Sequence, residues 1–528
     1  VGSEMCIRDS NNAINTYPYM LLMLPSSSVA FFMGNSLMGD NANNGSVVLV
    51  LTDLVTQIEG FISSHILIFV LVGLGIVFTV ATRGVQFRLF GHMWHLMLDS
   101  RKQKGTSLSS FQAFTVGLAS RVGTGNIAGV SLALIVGGPG ALFWMWIVAL
   151  LGMATSFMES TLAQIFKVKG KDGLSHGGPA YYIERGLGSR TWGVIFAALL
   201  VFSYGLIFPM VQSNTIAQQF KSTAGIPVWV TALVLVAISI PIMLGGLRRV
   251  AKVTEHLVPI MAIIYLLVSL ITILMNITDL PRVFSDIFAG AFGLRAGLAG
   301  VGGGLWATMF NGAKRGLFSN EAGQGSMPNG AATADVPHPV VQGLIQSLGT
   351  FVDTIIVCSM TGFMILLAGP SVYTPGQELE DGILAQTALT HHLDYGTGWT
   401  VWFMSIVIFL FAYSSTLGYS VFAEINVNYL GWTKHGSTIL HVVMIAATGL
   451  GSIAALPLAW SLADLSLALM TIINMVAVAL LMKYGVRCLR DYDRQRKAGI
   501  ETPVFVETPG FFPKAVPDSA WVARHENE

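Results

Sequence analysis

Gly123-Thr124-Gly125-Asn126 and Gly323-Gln324-Gly325-Ser326 share one form, Gly-x-Gly followed by a small polar amide or hydroxyl, and lie 200 residues apart. The same offset carries Pro139 onto Pro339, each opening the next apolar stretch. Glycine weakens a helix and short polar side chains compete for its backbone hydrogen bonds, so both motifs read as breaks. A broken helix frees N–H groups where it restarts and carbonyls where it stops. What this offers is recognition of charge rather than bond-making. A helix restarting at Asn126 points N–H groups and the positive end of its dipole back at the break, a seat for a carboxylate. Thr124 and Asn126 add side-chain hydrogen bonds. Carbonyls freed near Gly123 and Gly323 suit an ammonium group or a sodium ion.

The elements that must carry these breaks are membrane helices. Of 528 residues, 53% are hydrophobic and 11% charged, against roughly 25% charged in a soluble protein. A soluble helix keeps one polar face, whereas a bilayer span needs about 20 mostly apolar residues. The apolar stretches predict an all-α integral membrane protein of about eleven transmembrane helices. They fall near 62–82, 109–135, 141–166, 191–219, 226–246, 255–277, 303–333, 339–368, 399–428, 437–457 and 460–484. A net charge of +1 argues against a nucleic-acid partner, which calls for a basic face. Cys6, Cys358 and Cys488 make no metal or disulfide framework, and mid-span Cys358 reads as a packing residue.

Residues 1–10, VGSEMCIRDS, read as a translated library adapter and are set aside. The apolar run from Tyr17 to Phe32 is short and broken by Pro25 and three serines. Residues 11–61 are therefore an N-terminal extension without an assigned span.

Orientation follows from loop charge. Arg83, Arg88, Arg101, Lys102 and Lys104 crowd one loop, and Lys167, Lys169, Lys171, Arg185 and Arg190 another. Arg248, Arg249 and Lys252 sit in a third, with Lys483, Arg487, Arg490 and Arg494 leading into the tail, 485–528. These alternate with the loop 369–398, which carries Glu378, Glu380 and Asp381. The cytoplasmic bias of Lys and Arg predicts an outside N-terminus and a cytoplasmic C-terminus.

In that orientation the span with Gly123 runs outward and the span with Gly323 runs inward, with five spans counted from each break. Two inverted five-helix repeats result, 109–277 and 303–484, with the 62–82 helix outside them. This is the five-plus-five arrangement of LeuT-type transporters. Unwound backbone survives in a membrane only where it is buried in protein or lines a cavity. Paired breaks at matching points of two halves point to a transport site near the midplane. Two other readings are weaker. Gly123-x-Gly125-x-x-Ala128 fits a dinucleotide fingerprint, but it lies within an apolar span and comes after no strand. Small residues also let helices pack closely, which leaves Asn126, Gln324 and the repeat unexplained.

Several segments resemble the alanine/glycine:cation symporter family. They are SRVGTGNIAGVSLALIVGGPGALFWMW (120–146), KRGLFSNEAGQGSMPNGAATADVPHPVVQGL (314–344) and FVDTIIV (351–357). FTVATRGVQFRLFG (78–91), PMVQSNTIA (209–217) and FAYSSTLGYSVFAE (411–424) extend the likeness over residues 62 to about 485. The resemblance implies a LeuT fold and sodium-coupled symport of small neutral amino acids such as alanine or glycine, in a bacterial inner membrane. Sodium would be the coupling ion, with no other cofactor. It also implies a pocket from the broken helices and the third and eighth repeat helices. On this chain those are Thr124, Gly125 and Asn126; Gln212; Gln324, Gly325 and Ser326; and Ser414, Ser415 and Tyr419. Relatives often read Gly-Met-Gly-Ser at 323–326 and Trp at 419. Gln324 and Tyr419 make the pocket more polar, and Tyr419 makes it roomier. A methylene is worth only about 1–3 kcal/mol of discrimination, so the range is expected to extend toward serine or glutamine.

Single residues carry alternatives. Ser414 and Ser415, with carbonyls near Gly123, would make an all-oxygen sodium cage; their hydroxyls can instead bond carbonyls one turn earlier. Asp353 is a carboxylate in mid-span, functional by default, for cation binding or gating, or else a structural hydrogen-bond acceptor. Glu159 is placed near the cytoplasmic end of its span, where it can snorkel. Arg121 complements the dipole at its half-helix end and Glu321 opposes it, so Glu321 calls for Arg121, Lys314, Arg315 or the transported ion. Gln212 either donates to substrate or bridges helices. His338, beside Pro339, reads as a cap.

Secondary transport is the leading function. One sodium ion crossing 100 mV releases about 2.3 kcal/mol and a tenfold gradient adds about 1.4 kcal/mol, enough for an accumulation of a few hundredfold. A channel would show residue rings or a carbonyl filter. An enzyme would show a metal cluster or a nucleophile motif, and neither is apparent. A proton-coupled permease, with Asp353 or Glu321 as carrier, is the alternative.

Overall fold

The structure is a computed structural model that describes residues 44–102, 108–170, 173–294, 301–377, 383–394, 396–432, 434–454 and 457–508, with 510–512, 514, 516 and 520–521. The adapter-like segment 1–10, Cys6 and the run Tyr17–Phe32 lie outside the described residues. So do Lys104, Lys171, Glu378, Glu380 and Asp381. The chain divides into two units at residue 53. Of the first, the described part is the opening of helix Asn44–Ile62. The second, Leu54–Glu528, carries both breaks.

The chain is almost wholly helical. The first span is α1 (Leu51–Ala81), beginning upstream of the expected 62–82. Glu59 and Ser63 blurred that start in the sequence; both are buried, and Glu59 is ion-paired to Lys314 at 2.9 Å. A surface helix α2 (Phe90–Asp99) leads to α3 (Ser110–Arg121), entered through a capping box. Gln112 N–H donates to Ser109 Oγ, and Ser109 N–H to Gln112 Oε1, each at 3.1 Å. The chain bends 59° at the first break and resumes as α4 (Ala128–Gly137). Next come α5 (Gly140–Ile165), a two-stranded hairpin pairing Val168–Lys169 with Ser175–His176, and the short α6 (Pro179–Leu187). After these come α7 (Arg190–Ala224), α8 (Val228–Met243), α9 (Gly246–Met275) and the shorter α10 (Leu280–Ala291).

The second half repeats that order. It runs α11 (Val301–Asn320), the break, α12 (Met327–Ala332), α13 (Pro339–Leu367), short α14 (Ile383–Leu393), α15 (Trp399–Tyr429), α16 (Lys434–Ile453) and α17 (Pro457–Lys497). Among the described residues eight helices are long and apolar enough to cross a bilayer, and nine when the bent pair α3/α4 counts as one. The other two expected spans fall on the shorter α8 and on α11 with α12, neither of which is long and apolar enough by itself, so eleven spans remain an expectation.

Packing places the breaks centrally. Helix α5 lies against α11, α12 and α13, α3 packs on α9 and α15, and α7 packs on α15 and α16. The lipid-compatible surface is elsewhere: Phe69, Val80, Leu233, Ile260, Leu267, Leu450 and Leu480 are all exposed, as bilayer-facing side chains should be. Among the described residues three wide π-type turns interrupt helices, Ser63–Leu67 in α1, Ser203–Ile207 in α7 and Phe351–Cys358 in α13. Such turns open the hydrogen-bond ladder and concentrate at functional positions.

Candidate functional site: a small cavity between two broken helices

The first break restarts earlier than expected. A tight turn covers Thr124–Asn126, where Asn126 N–H donates to Gly123 O and Ile127 N–H to Thr124 O, each at 3.2 Å. The N–H groups of Thr124 and Gly125 precede these first bonds and, among the described residues, are the free donors of the half-helix. Asn126, expected beside them, turns away. Its Oδ1 accepts the Gly123 N–H at 2.9 Å, and its Nδ2 donates to Asp353 Oδ1 at 2.7 Å and to Ser319 Oγ at 3.1 Å.

Asp353, on the π-turn of α13, thereby joins a buried cluster. Its Oδ2 accepts from Ser319 Oγ and Thr354 Oγ1, each at 2.8 Å. Cys358 does more than pack: its sulfur lies 3.3 Å from Asn126 Nδ2 and 3.2 Å from Ser319 Oγ.

The second break is held in left-handed backbone, with φ +54° at Glu321, +88° at Gly323 and +79° at Gly325. Glycine adopts these angles freely; for Glu321 the conformation is unfavourable. That angle turns the Glu321 carboxylate off the face of α11. Its Oε2 accepts from Ser120 Oγ at 2.8 Å and Ser326 Oγ at 2.6 Å. The expected basic partner is not there: among the described residues Glu321 has no ion pair within 4.0 Å, and Lys314 pairs with Glu59 instead. Arg121 is buried too, but its guanidinium donates to Gln346 O and Ser156 Oγ, each at 3.0 Å.

Between the breaks lies a small cavity with about 10 Å3 of free space, close to what a single water needs. Thr124, Gly125, Gln212, Gln324, Tyr419, Gly123, Arg121 and Glu321, all singled out in the sequence, line it. Ser120, Tyr204, Phe208, Phe318 and Leu467 complete the wall and were missed. Tyr204 could have been suspected, because Pro209 cannot donate to the ladder and a wide turn precedes it. Tyr204 meets Tyr419 edge to face and Phe208 meets it at a tilt, with ring centroids 4.9 and 5.4 Å away. Gln324 Oε1 accepts from the Tyr204 hydroxyl at 3.3 Å and its Nε2 donates to Leu317 O at 3.0 Å.

Five singled-out residues stand behind this wall with Asn126. Gly325 packs against Pro179 and Phe196, Ser326 serves Glu321, and Asp353 holds Asn126. Ser414 and Ser415 both donate to Phe411 O, at 2.9 and 3.0 Å. Ser414 turns toward Met261 Sδ at 3.5 Å, whereas Ser415 also reaches Ala119 O of α3 at 3.0 Å. A Cβ at position 123 would collide with Ser415 Oγ, so the first break needs glycine for this approach. His338 caps α13, its Nδ1 accepting the Val340 N–H at 3.2 Å.

Glu159 corrects its sequence reading. It does not snorkel; it is fully buried and accepts the Gly323 N–H at 3.3 Å.

The family model described as "Sodium:alanine symporter family" matches residues 48–507. The amino-acid carrier protein AlsT of Bacillus subtilis (strain 168) is 45% identical over 441 residues, covering 83% of this chain and 91% of that protein. The probable sodium/glutamine symporter GlnT of the same organism is 41% identical over 457 residues, covering 86% and 93%. Among solved structures, MhsT in complex with L-phenylalanine matches with a TM-score of 0.51 at 13% identity, over 72% of this chain and 91% of that one. That likeness shows the fold, the LeuT-type helical arrangement.

Proposed function

Since the chain belongs to the sodium:alanine symporter family, a family of multi-pass membrane transporters, we propose that it carries small neutral amino acids into the cell with sodium. The observation that carries this reading is the small cavity lined from both breaks. The free N–H groups of Thr124 and Gly125 suit the substrate carboxylate. The Glu321 carboxylate and the oxygen of Gln212 suit its ammonium group. Tyr204, Phe208 and Tyr419 enclose the side chain, and their size favours alanine, glycine or serine. Gln324 and the Tyr419 hydroxyl add polar contacts, in keeping with a range toward glutamine, the solute in the name of one relative.

For sodium, the oxygens of Asp353, Ser319 and Thr354 form one candidate seat. Ser414, Ser415 and the carbonyls near Gly123 form another. Hard cations take such all-oxygen sets. The basic residues Arg83, Arg88, Lys167, Lys169 and Arg185 favour a cytoplasmic placement of their loops, hence a cytoplasmic tail, in a bacterial plasma membrane.

Purified protein in liposomes, with a sodium or a proton gradient imposed separately, tests this. Alanine accumulation driven by sodium is expected. Uptake driven by protons and indifferent to sodium would overturn the coupling and leave a proton-coupled permease.

A further inference from the structure

Glu159 is the buried group that the transport reading leaves unused. It stands on α5, outside the cavity, with no basic side chain within 4.0 Å among the described residues. Its two oxygens serve different elements. Oε1 accepts the Gly323 N–H at 3.3 Å, and Oε2 accepts Asn474 Nδ2 of α17 at 2.9 Å. Asn474 Nδ2 also donates to Gly323 O at 2.8 Å, and Asn474 Oδ1 accepts the Tyr182 hydroxyl of α6.

Both polar groups of the Gly323 backbone are therefore satisfied by side chains from neighbouring helices. Backbone that has left the helical ladder inside a membrane needs such replacements, and a carboxyl group can accept on both oxygens where an amide accepts on one. Gly323 sits at φ +88°, directly before Gln324, which lines the cavity. The angle at 323 sets where that side chain enters.

We propose that Glu159, through the Gly323 peptide and Asn474, is the positioning residue that shapes the second break and aims Gln324 into the cavity. The consequence for transport rests on the proposed amino acid symport; the clamp itself does not. A residue that only filled space would tolerate Glu159→Gln, which keeps the shape and loses the charge.

Two measurements decide the matter. Hydrogen–deuterium exchange on purified protein should show the 322–326 segment exchanging about tenfold faster in Glu159→Gln, the loss of one of the two accepted hydrogen bonds. Equal rates would overturn the clamp. In liposomes, Glu159→Gln should raise the KM for alanine about tenfold with Vmax within about twofold. Combined with Gln324→Ala it should add nothing, as expected of residues acting through one another; effects that multiply would overturn the positioning role. Absence of sodium-driven uptake in the unaltered protein would count against the transport reading, and exchange would still judge the clamp. If Glu159→Gln fails to fold, Asn474→Ala is read in both measurements with the same expected and overturning results.

Discussion

Gln212 Nε2 donates to the Tyr419 hydroxyl at 3.2 Å, tying α7 to α15 across the cavity between the breaks. The other end of the same amide, Gln212 Oε1, is buried without a hydrogen-bond partner among the described residues. Leaving such an oxygen unpaired costs about 1–3 kcal/mol. The pair therefore presents one acceptor, fixed in direction by the tyrosine, to whatever enters.

Gln212→Leu should separate binding from folding. It removes an unsatisfied polar group, so thermal unfolding in detergent should be unchanged or shifted upward. The KM for alanine should rise at least about tenfold, the worth of one good hydrogen bond to a charged donor. A normal KM in this variant would remove Gln212 from the substrate's partners.

Tyr419→Trp addresses substrate range. The larger ring, without a hydroxyl to accept from Gln212, should narrow the cavity and make it less polar. Competition by glutamine and serine against labelled alanine uptake should weaken by about tenfold or less, in line with about 1–3 kcal/mol per methylene-sized change. Competition identical to that of the unaltered protein would show that Tyr419 does not set the range.

Glu321 combines an unfavourable backbone angle, φ +54°, with a carboxylate lining the cavity. Glycine at this position would relieve roughly 1 kcal/mol of strain while leaving Ser120 and Ser326 without their acceptor. Glu321→Gln keeps an acceptor oxygen and loses only the charge. Both variants should fold, with unfolding temperatures near the original, and both should lose most uptake. Normal sodium dependence in Glu321→Gln would exclude this carboxylate from coupling.

The glycine motifs were legible in the sequence because a break is local chemistry: Gly323 and Gly325 adopt the left-handed backbone that their composition suggested. The direction of a side chain at a break was not legible. Asn126 was read toward the substrate, yet its amide is claimed by Asp353, which lies far along the chain and reaches it through a π-turn that leaves no glycine or proline signature. Glu159 was misread for a related reason. Its place in α5 gave depth along the helix axis but not the identity of the neighbour, and only the packing of α12 and α17 brings the Gly323 peptide and Asn474 to it. The serines were ambiguous from the start, and Ser414 and Ser415 indeed bond their own helix while Ser415 also reaches α3.

His338 predicts a pH dependence of stability. It precedes the first residue of α13, caps that helix through Nδ1, and holds Nε2 3.4 Å from Asp491 Oδ2. Burial pushes the imidazole below its ordinary 6.5, and the Asp491 carboxylate opposes this without reversing it. With the folded value below the unfolded one, the unfolded chain binds more protons between the two. The stabilising contribution is complete above about pH 6.5 and is lost as pH falls from there toward the folded value. Unfolding midpoints measured from about pH 8 to about pH 5 should fall more steeply for the unaltered protein than for His338→Gln. Parallel slopes would place the titration elsewhere.

Asp353→Asn tests the buried oxygen cluster. The carboxylate accepts from Asn126, Ser319 and Thr354 at 2.7, 2.8 and 2.8 Å, and has no ion pair within 4.0 Å among the described residues. Three donors converging on one buried anion fix its oxygens, and a sodium ion drawn there would gain a full opposing charge. Asparagine has the same size but sets one N–H against a donor, so some stability should be lost, about 1–3 kcal/mol. That loss alone would fit a structural role. Sodium discriminates: a ligand that binds only the folded state raises the unfolding temperature, so sodium should stabilise the unaltered protein and do so much less in Asp353→Asn. The sodium concentration for half-maximal uptake should rise at least about tenfold, the worth of about 1.4 kcal/mol, while the KM for alanine at saturating sodium moves less than about threefold. Equal sodium stabilisation of both proteins, with unchanged half-saturation, would leave Asp353 as a structural acceptor and move the ion to the seat beside Ser415.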